Sequence, residues 1–247
     1  MFRSKLNLIF LTSIFLFSFF LFVILSQAKS VVDKNHVSAR RAADYIHAVI
    51  QADRTIYSQY IVERLGETVS LKATENWKKE DSLLLPAQFL MMSSKLVNSK
   101  NLGVRFRLLS LWPINKNNGP KTSKEKTGLK KVVDNPDKPF IWTTHRNGTW
   151  KYNAIYPDKA VAKSCALCHN NHPRSPKKNF KRGDVMGGIH ISFPVSKPSG
   201  TKSDLKFRVA PEVVADYVHA ILDADRTVYA KHIVDRLQKK NIIYPSE

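Results

Sequence analysis

Acidic side chains are scarce in this chain: Asp and Glu number 20 against 40 for Lys and Arg, leaving a formal charge of +20. Such an excess points to anionic partners, whether nucleic acid, anionic lipid headgroups or an acidic protein. Cysteine is scarcer still. The chain has two, Cys165 and Cys168, three residues apart, and a bridge closed over two residues adds little to a domain of this size. An acid–base set of the kind a peroxidase needs is also missing, so the chain reads as a non-enzyme. Apolar material is not scarce. Of 247 residues 43% are hydrophobic and 10% aromatic, enough for a real core, which excludes a disordered chain and leaves room for one domain with appendages or two small ones.

The N-terminus carries Arg3 and Lys5, then 18 uncharged residues from Leu8 to Leu25 with six phenylalanines. As a helix this run would span roughly 27 Å, just under the thickness of a bilayer core. Ser26 to Ala28 offer small residues at the spacing a signal peptidase reads. Residues 1–28 therefore read as a signal peptide or an N-terminal membrane anchor (residues 8–25), with everything after them exported. Positive charges also follow the run (Lys29, Lys34, Arg40, Arg41) and leave its orientation unread. Export argues against nucleic acid as the partner.

Residues 42–65 (AADYIHAVIQADRTIYSQYIVERL) and 214–237 (VADYVHAILDADRTVYAKHIVDRL) match at 14 of 24 positions without a gap, at an offset of 172. Duplication accounts for that identity better than shared helical composition. Apolar residues recur at helical spacing in both, so each predicts an amphipathic helix of about six to seven turns. The second copy runs out at NIIYPSE. The expected organisation is a signal or anchor over 1–28, a domain over 29–195, a linker over 196–213 (its SKPSGTKSD has linker composition) and a partial repeat over 214–247.

Between the repeats the pattern is α+β. Pro86 suits a helix start. Residues 103–112 alternate Val104, Phe106 and Leu108 against Arg105 and Arg107, a half-buried strand. Residues 140–156 predict a hairpin turning at Asn147-Gly148, and 187–195 a strand stopped by Pro194. Residues 115–138 and 174–182 read as cation-rich loops. This order suggests an antiparallel sheet with helices on one side.

The stretch SCALCHNNHP holds both cysteines, with His169 directly after the second. A Cys-x-x-Cys-His run is the spacing of covalent haem attachment: residues three apart share one face of a helical turn, so both sulfurs reach one porphyrin edge and the histidine follows beneath the iron. The coincidence of two cysteines and a histidine in this arrangement has odds of roughly 1 in 4,000. Zinc on Cys165, Cys168, His169 and His172 would need four ligands within eight residues, more compact than its usual sites. A redox CxxC would need a strand–helix setting that the flanks do not supply. The opposite face of the iron needs a ligand from elsewhere or stays open. His47, kept as His219 in the repeat, and Met91 with its neighbour Met92 are candidates, against the plainer readings of a helix-surface histidine and core filler. His145 and His190 fall on strands and read as ordinary strand residues. His172 approaches from the same side as His169 and reads as a loop residue.

The runs CALCHNNHPRSPKKNFKRGDVMGGIHISFPV, LPAQFLMMSSKLV and VRFRLLSLWPINKNNGP together resemble the PAS-like, c-type haem-binding domain, over roughly residues 40–195. That family supplies the periplasmic input of bacterial chemoreceptors, histidine kinases and cyclases, and also occurs as stand-alone exported haem proteins. The resemblance implies an antiparallel PAS-like sheet with flanking helices, haem c on Cys165 and Cys168, His169 as axial iron ligand, and a periplasmic location. It leaves the distal ligand open, and Gly183-Asp184 and Trp112 to Asn115 match family motifs without a known role. The chain departs from the sensor pattern in lacking a kinase, cyclase or coiled coil after residue 199. The extra helix is expected to be a truncated tandem domain, or a helix packing beside or in place of its twin, including across a homodimer.

Two functions follow. One is a redox or gas sensor whose iron state, or a bound small gas, alters the helix 42–65. The other is an electron-transfer cytochrome whose basic loops steer an acidic protein partner.

Overall fold

The computed structural model describes residues 36–199 and 206–242. The expected signal or anchor at 1–28 lies outside them, and among the described residues no helix is long and apolar enough to cross a membrane. The chain enters through a short strand, β1 (Val37–Ser38), and helix α1 (Ala39–Ile56), whose first turn is capped by the Ser38 hydroxyl accepting from Arg41 N. The helix does not run on regularly as its periodicity suggests. It widens into a π-helical segment, Tyr57–Glu63, and closes with α2 (Arg64–Thr68). Short strands β2 (Ala73–Thr74) and β3 (Leu83–Leu84) follow, then α3 (Pro86–Ser99), which has Pro86 in its first turn and Gln88 accepting from Leu85 N.

Strand β4 (Arg105–Leu109), helix α4 (Ser123–Asp134), strands β5 (Phe140–Arg146) and β6 (Thr149–Lys159), helix α5 (Lys163–Asn171) and strand β7 (Val185–Val195) complete the central body. The fold class is α+β. Its four-stranded sheet has the order β4-β7-β6-β5, antiparallel throughout. The β5–β6 hairpin turns at Asn147 (φ 49°) and Gly148 (φ 73°), the two positive φ values that an Asn-Gly turn tolerates.

Three local expectations are corrected. Pro194 does not stop β7: it pairs with Lys151 on β6 and lies beyond the β4 ladder, which begins at Arg105 opposite Ser192, where β7 is an edge that tolerates proline. The cation-rich segment 115–138 is not all loop. Thr122 and Glu125 form a reciprocal cap that starts α4. Helices also cover both faces of the sheet. Tyr152, Ala154 and Tyr156 face a core shared with α1 and α3, whereas Ile155, one residue out of phase, meets α4. Gly128 makes that second contact close, since a Cβ there would lie 2.6 Å from the Phe140 ring and 2.8 Å from Ile155 Cδ1.

The repeat copy packs beside its twin. Strand β8 (Arg208–Val209) lies within the expected linker and pairs antiparallel with β1; α6 (Pro211–Tyr229) follows, then a π-helical segment, Ala230–Val234, and α7 (Asp235–Lys239). Tyr217, Ile221 and Ala224 join the same core as Ile46 and Ile50. Two pairings set equivalent residues against each other. Val37 lies opposite Val209 in the β1–β8 ladder. The carboxyl groups of Asp53 and Asp225 stand within hydrogen-bonding reach. Both pairs differ by the repeat offset of 172, so the copies are related by a local pseudo-two-fold axis, the condition under which a residue meets its own counterpart.

Candidate functional site

Helix α5 presents the Cys-x-x-Cys-His run. Its N-cap, Ala162, has no side chain able to satisfy the first amides. The π-helical segment supplies one from a distance: Glu63 Oε1 accepts from Lys163 N (2.9 Å) and Ser164 N (3.3 Å). After the helix, Asn170 clamps the returning loop by donating to Phe180 O at 2.8 Å and accepting from Phe180 N at 2.9 Å. Phe180 then sets its ring edge-on to both His169 (5.8 Å) and Trp112 (5.7 Å).

Cys165, Cys168 and His169 line a cavity of about 1300 Å³, together with Arg54, Glu63, Met91, Leu108, Trp112, Asp158, His172 and Met186. That exceeds the roughly 300–1,000 Å³ usual for small-molecule pockets and leaves room for a large ligand. The two thiols are not joined. Burial pushes the His169 imidazole below its ordinary pKa, against a smaller opposing pull from Asp158, and keeps it in the neutral form that binds iron. Its Nδ1 is buried without a hydrogen-bond partner. Free thiols on one helical face, a neutral histidine and an oversized cavity fit haem c.

The zinc arrangement is not assembled. Among the described residues no three His, Cys, Asp or Glu side chains converge to hold a metal ion. His172 is engaged on both sides instead: its Nδ1 accepts from Arg174 N at 3.1 Å and its Nε2 lies 3.4 Å from Glu75.

The distal candidates separate. Met91 lines the cavity and His47 does not. The face of α1 that carries His47 lies on the sheet, where its ring stacks on Tyr156 at 4.0 Å and 9° while the Tyr156 hydroxyl donates to Asp44 at 2.6 Å. Burial lowers His47 to a pKa of about 4. His219, its repeat counterpart, is exposed on α6. His145 and His190 sit on β5 and β7, stacked on Trp150 and Trp142.

Sequence patterns did not single out Arg54, Asp158, Glu63 or Asn170. Arg54 Nε and an Nη donate to the two Asp158 oxygens at 2.7 and 2.9 Å, with side chains only 8% and 4% exposed. Burial opposes the guanidinium charge, but Asp158 outweighs it, and the group also reaches Cys165. Arg54 belongs to the repeated ADRT tetrapeptide, yet its counterpart Arg226 is exposed, so repetition alone carries no sign of this role. A carboxylate in the apolar strand β6 was the available signal for Asp158.

Comparison with known proteins agrees with this geometry. No curated protein and no solved structure matches the chain. The sequence model of the Tll0287-like family matches residues 33–194, which takes in α1, the sheet and the Cys-x-x-Cys-His helix and leaves out α6. The chain therefore belongs to the Tll0287-like family, a haem-related, cytochrome c-like group of domains.

Proposed function

We propose that this is an exported or membrane-anchored, periplasmic monohaem c-type protein of PAS-like fold that acts as a redox or gas sensor rather than as an enzyme. Cys165 and Cys168 would carry the haem by thioether bonds, with His169 as axial iron ligand and Met91 the distal candidate within reach of the cavity. The observation that carries the reading is the placement of both thiols and of His169, whose buried Nδ1 has no hydrogen-bond partner, on one helix facing a cavity far larger than a water site. The haem, when bound, supplies a one-electron couple and a site for a small gas.

The chain's own residues link that cavity to the repeated helix. Arg54 at the end of α1 holds Asp158 and touches Cys165, and Glu63, a turn or two further along, caps the cysteine helix. A shift in either contact would be felt along α1, which supports sensing. Electron transfer to an acidic partner is the second reading, supported by the cations Lys72, Lys95, Lys163 and Arg174 around the cavity.

The chain expressed with a cytochrome c maturation system should give a covalent c-type pyridine haemochrome, lost in Cys165→Ala/Cys168→Ala. A chain without that band, or one holding stoichiometric zinc, would end the haem reading. Binding of CO or NO to the reduced protein would favour the sensor, and a six-coordinate form inert to both would favour the carrier. Met91→Ala should convert a low-spin spectrum if Met91 is the distal ligand, and His47→Ala should leave it unchanged.

A further inference from the structure

The +20 chain sets two carboxyl groups side by side, Asp225 buried and Asp53 half-buried. Asp225, 7% exposed on α6, faces Asp53 on α1 across the pseudo-two-fold axis. Asp53 Oδ2 and Asp225 Oδ1 are both buried without a hydrogen-bond partner. Two ionised carboxylates are acceptors only, so neither can satisfy the other, and their like charges repel strongly in a low-dielectric interior. One proton solves both problems, turning one group into a donor and removing one charge.

The surroundings offer no other remedy. From α3 the wholly buried Ser93 turns its hydroxyl towards Asp225, and that oxygen has no settled partner either. The charged groups nearby are committed elsewhere: Arg54 to Asp158, Lys100 just after α3 to Asp223 at 2.5 Å, while Arg226 is exposed. The register of the β1–β8 ladder is an independent sign that the axis passes between the copies.

We propose that Asp53 and Asp225 hold one proton between them, and that this proton latches the C-terminal repeat helix onto α1. Burial raises Asp225 to a pKa of about 8, with Asp53 adding to the shift and Ser93 opposing it. When α6 lifts away, the carboxyl returns to water and to the ordinary range near 4. The docked state therefore binds a proton that the undocked state releases throughout that interval. The latch is complete below about pH 4, weakens as pH rises, and is lost by the time pH passes about 8. The arrangement does not depend on haem.

The test is hydrogen exchange of α6 amides in the full chain from pH 5 to pH 9, each wild-type rate divided by that of Asp225→Asn, which cancels the intrinsic pH dependence of exchange. The ratio should rise by up to about tenfold per pH unit between pH 5 and 8 and level off above. Asp53→Asn should give the same ratio, and it serves as the reference if Asp225→Asn does not fold. Infrared difference spectra at pH 7 should show the carbonyl stretch of a protonated carboxylic acid in the wild type and not in either variant. A flat ratio, a missing acid band, or a stoichiometric metal cation besides haem iron that is lost in Asp225→Asn would overturn the proposal.

Discussion

Asp158→Asn tests the load that one buried ion pair bears. The change keeps the shape and one acceptor but removes the charge opposite Arg54, whose guanidinium sits at 8% exposure with its two bonds spent on that carboxylate. Removing one partner of such a pair strands the other charge in the interior, a cost of about 3–5 kcal/mol. For a domain of this size about 1 kcal/mol moves the midpoint by roughly 2–4 °C, so Tm should fall by roughly 6–20 °C. Urea denaturation followed by far-UV circular dichroism gives the free energy, and a thermal scan gives the midpoint. Replacing both partners together, as Arg54→Met with Asp158→Leu, should recover much of the loss because no charge is then stranded. A loss below about 1 kcal/mol in Asp158→Asn, or a double variant as damaged as the single one, would refute the reasoning.

Gly128→Ala should destabilise by about 1–3 kcal/mol, because its Cβ would press on Phe140 and Ile155 in a packed layer; a neutral result in urea denaturation would show that α4 can retreat. Glu63→Ala should cost about 1 kcal/mol through the uncapped start of α5, and should raise exchange at Lys163 and Ser164 before other amides of that helix. His47 and His190, both held by burial at a pKa of about 4, should stay neutral in NMR titrations down to roughly that pH. Their folded values lie below the unfolded one, so their contribution is whole above pH 6.5 and declines as pH falls towards 4; an imidazole titrating near 6.5 in the native protein would sink that statement.

Much of the architecture was legible in the sequence because it rests on local signals. Pro86, the Asn147-Gly148 turn and the period-two strands each constrain their own neighbourhood. The cysteine helix was legible for the same reason: its three chemical groups lie within five residues. Helix α4 was hidden by its charge, since its sequence carries four lysines and its buried face mixes Leu129, Val132 and the bare Gly128 with Glu125, which pairs with Arg107 of the sheet. Arg54, Asp158 and Glu63 escaped notice because their partners are about 100 residues away. Long-range polar pairs leave no period and no spacing to read. His47 is the converse case, a residue that repetition made conspicuous. Its repetition as His219 reflects common descent of the two helices, while the copies now stand in different surroundings.

The π-helical segments carry a consequence of their own. They begin and end at nearly corresponding points, Tyr57–Glu63 in one copy and Ala230–Val234 in the other, although the first abuts the cysteine helix and the second lies against Trp77 and the turn near Asp81. Their apolar sides nonetheless meet in one cluster, where Tyr57, Ile61 and Val62 pack with Val228, Tyr229 and Ile233. The widened turn therefore recurs in both copies of the duplicated segment at the place where the copies pack together, and in the first copy the same turn also carries Glu63 to the start of the cysteine helix.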